Sequence, residues 1–161
     1  MTIKVGDKIP SVTLHTMTKE GPKPIASDDI FRGKKVAVFG LPGAFTPTCS
    51  AKHLPGYVKK AASLKKKGVD QIVCLAVNDA FVMGAWGQNQ KVGGKVLMVA
   101  DGDANFTKAA GLELDLNGRG LGMRCQRFAM LVDKGVVKSL AIDPPGTFEK
   151  TSAEEMLKQL G

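Results

Sequence analysis

The chain has 161 residues, 43% hydrophobic and 24% charged, a balance that suits one folded domain with its own core and excludes wholesale disorder. Its formal net charge is +8, but the lysines are scattered and only 6% of residues are aromatic, so no base-stacking platform exists and nucleic acid is excluded as a partner. No stretch is long and apolar enough for a membrane span, and Met1–Lys8 has neither an apolar h-region nor a small-residue cleavage site, so a cytoplasmic protein is expected.

Taken in order, Val12–His15 reads as an early strand and Gly21-Pro22-Lys23-Pro24 as a turn. Ser27–Phe31 starts like a short capped helix that Gly33 ends. The apolar run Val36–Gly40 is a buried strand, and after a turn rich in Pro and Gly a helix is expected from Ser50 to about Lys67, with Lys65–Lys67 complementing the dipole at its C-terminus. Gln71–Val77 reads as a strand buried on both faces. Asn78-Asp79 caps a helix from Ala80 toward Gln90, on which Phe81 and Trp86 are read as core or interface packing.

Val96–Ala100 is a further strand, Asp101–Asp103 a turn, and Ala104–Ala110 a helix that Gly111 closes. A flexible Gly-rich loop, Gly118–Gly122, leads to the strand Phe128–Asp133; its glycine spacing does not fit a nucleotide loop. Lys134-Gly135 makes a hairpin into Val136–Ile142, and Ser152 with Glu155 opens a terminal helix to Leu160 with a capping-box pattern. Strand–helix alternation ending in a hairpin and a helix indicates an α/β fold with a central mixed β-sheet flanked by helices.

Three cysteines, Cys49, Cys74 and Cys125, include no Cys-x-x-Cys pair, which argues against a disulfide framework and a structural zinc site. Cys49 stands apart from the other two. The turn Gly40–Thr48 delivers it to the start of a helix, where unpaired N–H groups and the positive end of the dipole favour a thiolate. Pro42 and Pro47 stiffen that turn, and the Thr46 hydroxyl can bond an oxygen held beside the sulfur. A cationic partner has to come from elsewhere, with Arg124 and Arg127 as candidates, although spacing alone reads Arg127 as a surface ion pair. His53, four residues after Cys49, also raises a cysteine hydrolase, but one helix turn suits acyl transfer poorly and no orienting Asn or Asp is evident.

The pattern Pro42-x-x-x-Thr46-x-x-Cys49 resembles the active-site motif of the peroxiredoxins. The wider block Gly40–Cys49 with His53–Gly56, Val77–Val82 and Gly120–Ala129 is similar to the peroxiredoxin 5 (type II) subfamily, and the collinear matches run from about Val5 to Ile142. The resemblance implies a thioredoxin-like fold over residues 3–161 and a thiol peroxidase that reduces hydrogen peroxide and organic hydroperoxides without metal, haem or flavin. It makes Cys49 the peroxidatic nucleophile, with Thr46 and Arg127 holding the peroxide and Pro42 shielding the sulfenate. It gives Gly43, Thr48, His53 and Leu121 substrate-binding roles, and implies a homodimer.

Recycling is open at this point. Plant-type members place a resolving cysteine at the spacing of Cys74, yet here that residue lies mid-strand, where an inert buried thiol is the default. The other route is an external thiol, glutathione with glutaredoxin or thioredoxin; Cys125 stands where type II relatives commonly have Ser. The rival from another class is a redox-sensing or chaperone-like module in which oxidation of Cys49 only signals.

Overall fold

Alternation of apolar side chains along the central strands divides the interior into two cores, one on each face of a seven-stranded sheet. The computed structural model describes residues 1–161. Its strands are β1 (Thr13–Thr18), β2 (Gly21–Ala26), β3 (Lys35–Gly40), β4 (Gln71–Ala76), β5 (Leu97–Ala100), β6 (Glu113–Leu116), β7 (Gly122–Cys125), β8 (Arg127–Asp133) and β9 (Val136–Asp143). The helices are α1 (Ser27–Phe31), α2 (Leu54–Lys66), α3 (Ala80–Asn89), α4 (Asn105–Ala109) and α5 (Ala153–Gln159).

The strand order is β2-β1-β5-β4-β3-β8-β9, with β3, β4 and β5 parallel to one another and the outer pairings antiparallel. This is the expected mixed sheet flanked by helices. Ala37, Phe39, Ile72, Cys74, Ala129 and Leu131 face α2, α3 and α5, where Tyr57, Leu64, Met83, Trp86 and Met156 cover them. Val36, Val38, Val73, Leu75, Phe128 and Met130 face the other way, onto Ile30 and Phe31 of α1 and Phe106 of α4. Gly40 is required by the β3–β8 pairing: it stands opposite Phe128, whose ring fills the space a Cβ would take.

Four local expectations are corrected. Gly21–Pro24 is not a turn but the start of β2, the turn being Lys19-Glu20; β2 is an edge strand, where proline sacrifices no ladder bond. Ser27 does not cap α1; its hydroxyl donates to the Pro10 carbonyl and accepts from the Val12 N–H, tying the N-terminal segment to the helix. The approach to β8 is not loop alone: β6 and β7 pair as a small hairpin around the Gly-rich turn, and Gly118, Gly120 and Gly122 take the positive φ that the turn needs. Finally, the helix after the Pro/Gly turn is not uniform, because Cys49–His53 form a single π-helical turn before α2. Pro55 has no N–H and its ring crowds the carbonyl four residues back, so a widened turn there relieves a strain that a regular helix would carry.

Elsewhere the local signals act as read. Asp79 caps α3 by accepting the Val82 N–H, Ser152 caps α5 by accepting the Glu155 N–H, and Lys134-Gly135 turns the β8–β9 hairpin with positive φ at both residues. Glu155 completes only half of the capping box, since its carboxylate pairs with Lys158.

Candidate active site

Strands β3 and β4 end side by side, and the chain leaving β3 stays in the ladder for one more residue through Leu41 N–H to the Leu75 carbonyl. Pro42 and Gly43 then break away. The Thr46 N–H and hydroxyl both return to the Gly43 carbonyl, at 3.4 and 2.7 Å, closing a tight turn in which Phe45 takes φ +64°. That is a strained conformation for a bulky residue, held by the Ala44 N–H on the Asn78 side chain at 2.9 Å. The first helical bond runs from the Ser50 N–H to the Thr46 carbonyl, so Pro47 occupies the first helical position, where its missing donor costs nothing. Cys49 follows two residues later, among the N–H groups that have no intrahelical acceptor.

The Cys49 sulfur is fully buried. Arg127, at the start of β8, donates one N–H from Nη2 to Sγ at 3.3 Å and another from Nη1 to His53 Nδ1 at 2.9 Å. The ion pair on the surface that spacing suggested for Arg127 is therefore overturned. The side chain is only 9% exposed, because β8 pairs with β3 and points its first residue at the end of the β3 strand.

His53 is buried between aromatic rings, with Phe39 at 4.8 Å and Phe148 at 5.1 Å between centroids. Its Nε2 lies 3.0 Å from the Thr151 carbonyl. A carbonyl only accepts and a guanidinium only donates, so the proton sits on Nε2 and Nδ1 is bare. Burial, reinforced by the Arg127 charge, pushes the imidazole down to about 3 and keeps it neutral. Turned this way, His53 addresses Arg127 rather than the sulfur, and it is not placed as a base for a cysteine hydrolase.

A second group of contacts holds the turn. Arg124, in β7, donates from Nη1 to the Pro42 carbonyl at 3.0 Å and from Nε to the Leu121 carbonyl at 2.8 Å. A Cβ on Gly43 would meet the end of the Arg124 guanidinium, so a side chain here would displace Arg124 from the Pro42 carbonyl. Of the two candidate cations, then, Arg127 serves the sulfur and Arg124 the loop. Leu121 enters only through its carbonyl, with a half-exposed side chain, and Thr48 is partly exposed one residue before Cys49. A cavity of about 30 Å³ lies between Pro42 and Arg127, walled by Leu114, Gln126, Pro144 and Pro145. The largest cavity, about 650 Å³ between β1 and α3, touches none of the expected site residues.

Cys74 lies in the same core as Cys49, on β4 opposite Phe39, and both are free thiols. Burial pushes the Cys74 thiol well up, and it pushes Cys125, in the opposite core, up to about 12. The roles of four contributors are not readable from the sequence. Asn78 reads as a cap residue within a family block, and nothing local marks Phe148 or Thr151. Asp143 shows only as an Asp at a strand end before Pro144-Pro145, a setting that favours side-chain bonds to following N–H groups.

Against known proteins, residues 4–157 match the family model described as Redoxin. Peroxiredoxin-2B of Arabidopsis thaliana is 47% identical, with 98% of each chain covered, and the chloroplastic Peroxiredoxin-2E of the same plant is 47% identical over 99% of this chain and 70% of its own length. Among solved structures, reduced Prx3 of Vibrio vulnificus in complex with hydrogen peroxide superposes with a TM-score of 0.95 at 51% identity, covering 99% of this chain and 100% of that one. Peroxiredoxin 5 of Alvinella pompejana superposes with a TM-score of 0.86 at 36% identity, covering 98% and 97%.

Proposed function

The chain belongs to the redoxin family as a peroxiredoxin of type II kind, a thiol-dependent peroxidase with a thioredoxin fold, and from that membership we propose that Cys49 is its peroxidatic residue. The observation that carries the assignment is the 3.3 Å bond from Arg127 to a cysteine sulfur otherwise shut inside the core. The Cys49 thiolate attacks the terminal oxygen of the hydroperoxide. The S–O bond forms as the O–O bond breaks, sulfur gives up two electrons, and the leaving alkoxide or hydroxide takes a proton to depart as alcohol or water.

Negative charge moves from sulfur to the leaving oxygen during this step. A guanidinium fixed at the sulfur and free backbone N–H groups near Gly43 and Cys49 stabilise that charge without reorganising. The Thr46 hydroxyl, whose proton is committed to the Gly43 carbonyl, presents its lone pairs to a peroxide O–H. Pro42 walls the small cavity beside Arg127, while His53 acts behind Arg127, Leu121 holds Arg124 through its carbonyl and Thr48 leads into Cys49. The hydrogen peroxide complex described for the Vibrio vulnificus relative supports peroxide as the small substrate.

Stopped-flow reaction of the reduced protein with hydrogen peroxide tests the assignment. Reaction should be far faster than with free cysteine and vanish in Cys49→Ser; a rate no faster than free cysteine overturns it and leaves the redox-signalling reading.

The resulting sulfenic acid condenses with an external thiol, releasing water, and a second thiol then frees Cys49 as a new disulfide forms. Glutathione with glutaredoxin, or thioredoxin, is the proposed donor. Cys74 is buried mid-strand with its thiol held protonated, which speaks against it as the resolving cysteine. Cys74→Ser should keep turnover with glutathione, and complete loss with every reductant would refute external resolution. A homodimer is proposed on the exposed rings of Phe45, which lies 6.4 Å from Trp86, and Phe81, 52% and 65% accessible, and a cytoplasmic location on the three free cysteines. No helix is long and apolar enough to cross a membrane.

A further inference from the structure

Asp143 is the last residue of β9 and stands directly opposite Arg127 in the β8–β9 register, so both side chains rise on the same face of the sheet. They do not pair with each other. The Asp143 carboxylate is instead buried, 1% exposed, and accepts from the Glu149, Lys150 and Thr151 N–H groups and from the Thr151 hydroxyl at 2.8 to 3.2 Å. This cluster fixes the segment that carries two groups facing the site. The Thr151 carbonyl receives the His53 Nε2–H and the Tyr57 hydroxyl, each at 3.0 Å. The Phe148 ring packs on His53 and lies 5.8 Å from the Arg127 guanidinium.

We infer that Asp143 is a positioning residue for the peroxidase reaction: by fixing the Thr151 carbonyl it holds His53 in the Nε2–H tautomer, whose bare Nδ1 takes one Arg127 N–H and leaves the other on Cys49. The inference rests on the proposed role of Arg127. A carbonyl that drifted would release His53 to the other tautomer or to the doubly protonated form. Either puts an N–H against Arg127 and drives the guanidinium from the sulfur. The charged and titratable groups facing His53 are Arg127 from β8, Asp143 from β9, Cys49 from the π turn and Tyr57 from α2. Tyr57 shares the Thr151 carbonyl with the imidazole, and Asp143 is the group among them that holds the backbone carrying that carbonyl, through the Thr151 N–H and hydroxyl.

The chain contains two histidines, and His15 is exposed, so ¹⁵N spectra of histidine-labelled protein report His53 against an internal reference. In the wild type His53 should remain the neutral Nε2–H form between about pH 5 and 8. In Asp143→Asn and in the milder Thr151→Val it should show mixed tautomers or titrate. The rate of Cys49 oxidation by hydrogen peroxide should fall about tenfold to a hundredfold, with an acid limb absent from the wild type. Thr151→Ser, which keeps the hydroxyl, should restore both signals. An unchanged tautomer in folded Thr151→Val, or a lost rate with the wild-type His53 spectrum, overturns the inference. Wild-type protein that fails to react through Cys49 overturns the proposed function instead, and the spectra still decide whether Asp143 governs His53.

Discussion

Arg127 works with two hands, one on the Cys49 sulfur and one on His53, and only a planar fork with separate N–H groups can do both. Arg127→Lys should keep the fold and the positive charge but lose one of the two bonds. We expect peroxide reactivity to drop by about 10² to 10³, the usual cost of removing one preorganised donor, measured by stopped flow on reduced protein with an unchanged circular dichroism spectrum. Cys49, Thr46 and Pro42 were legible because they lie within eight residues of one another and share a local turn. Arg127 was legible only through its family pattern, since local spacing carries no information about strand pairing across the sheet. Thr151 was illegible for the same reason, since it meets His53 across nearly a hundred residues of sequence, and Asp143 was legible only as a strand-end Asp, not as a partner of that segment.

Elements were easiest to read where burial and period agree. The runs in β3, β4 and β8 are apolar on both faces because both faces are covered, and the caps of α3 and α5 lie where short polar side chains precede apolar ones. The π turn was unreadable from composition, being a compromise between Pro55 and the packing of Cys49 and His53 into the core. The β6–β7 hairpin escaped because its strands are short and half-exposed. Gly40→Ala tests the β3–β8 pairing that brings Arg127 to the site. Its Cβ would enter the Phe128 ring, so urea unfolding should show a loss of about 1 to 3 kcal/mol, the range for overpacking a filled core. An unchanged midpoint would mean that Phe128 has another rotamer to adopt.

For the molecule as a whole, the buried imidazole makes stability depend on pH. His53 binds a proton near 6.5 when unfolded and only near 3 when folded, so between these values the unfolded chain takes up more protons. Stability should therefore be full above about 6.5 and decline as pH falls toward 3, by about 1.4 kcal/mol for each unit. Asp143 adds a second loss at lower pH. Burial pushes its carboxyl up, but the N–H groups of Lys150, Glu149 and Thr151 and the Thr151 hydroxyl outweigh that and hold it below the ordinary value. Its contribution is present above the unfolded carboxylate range and disappears as pH drops through the folded value. Chemical unfolding across this range should show the decline, and His53→Gln should flatten its upper part; a slope unaltered by that change would assign the dependence to other groups.

The two prolines of β2 bear on how copies of this chain can meet. Pro22 and Pro24 lie two residues apart on the outer strand, so their nitrogens face the same way, outward, while pairing with β1 continues past both. At those places an incoming strand would find carbonyls without the N–H donors needed to answer its own, and Lys23 sits between them. That end of the sheet is closed to recruitment of a further strand, so strands cannot be added one after another through β2, and β9 remains as the sheet's other edge.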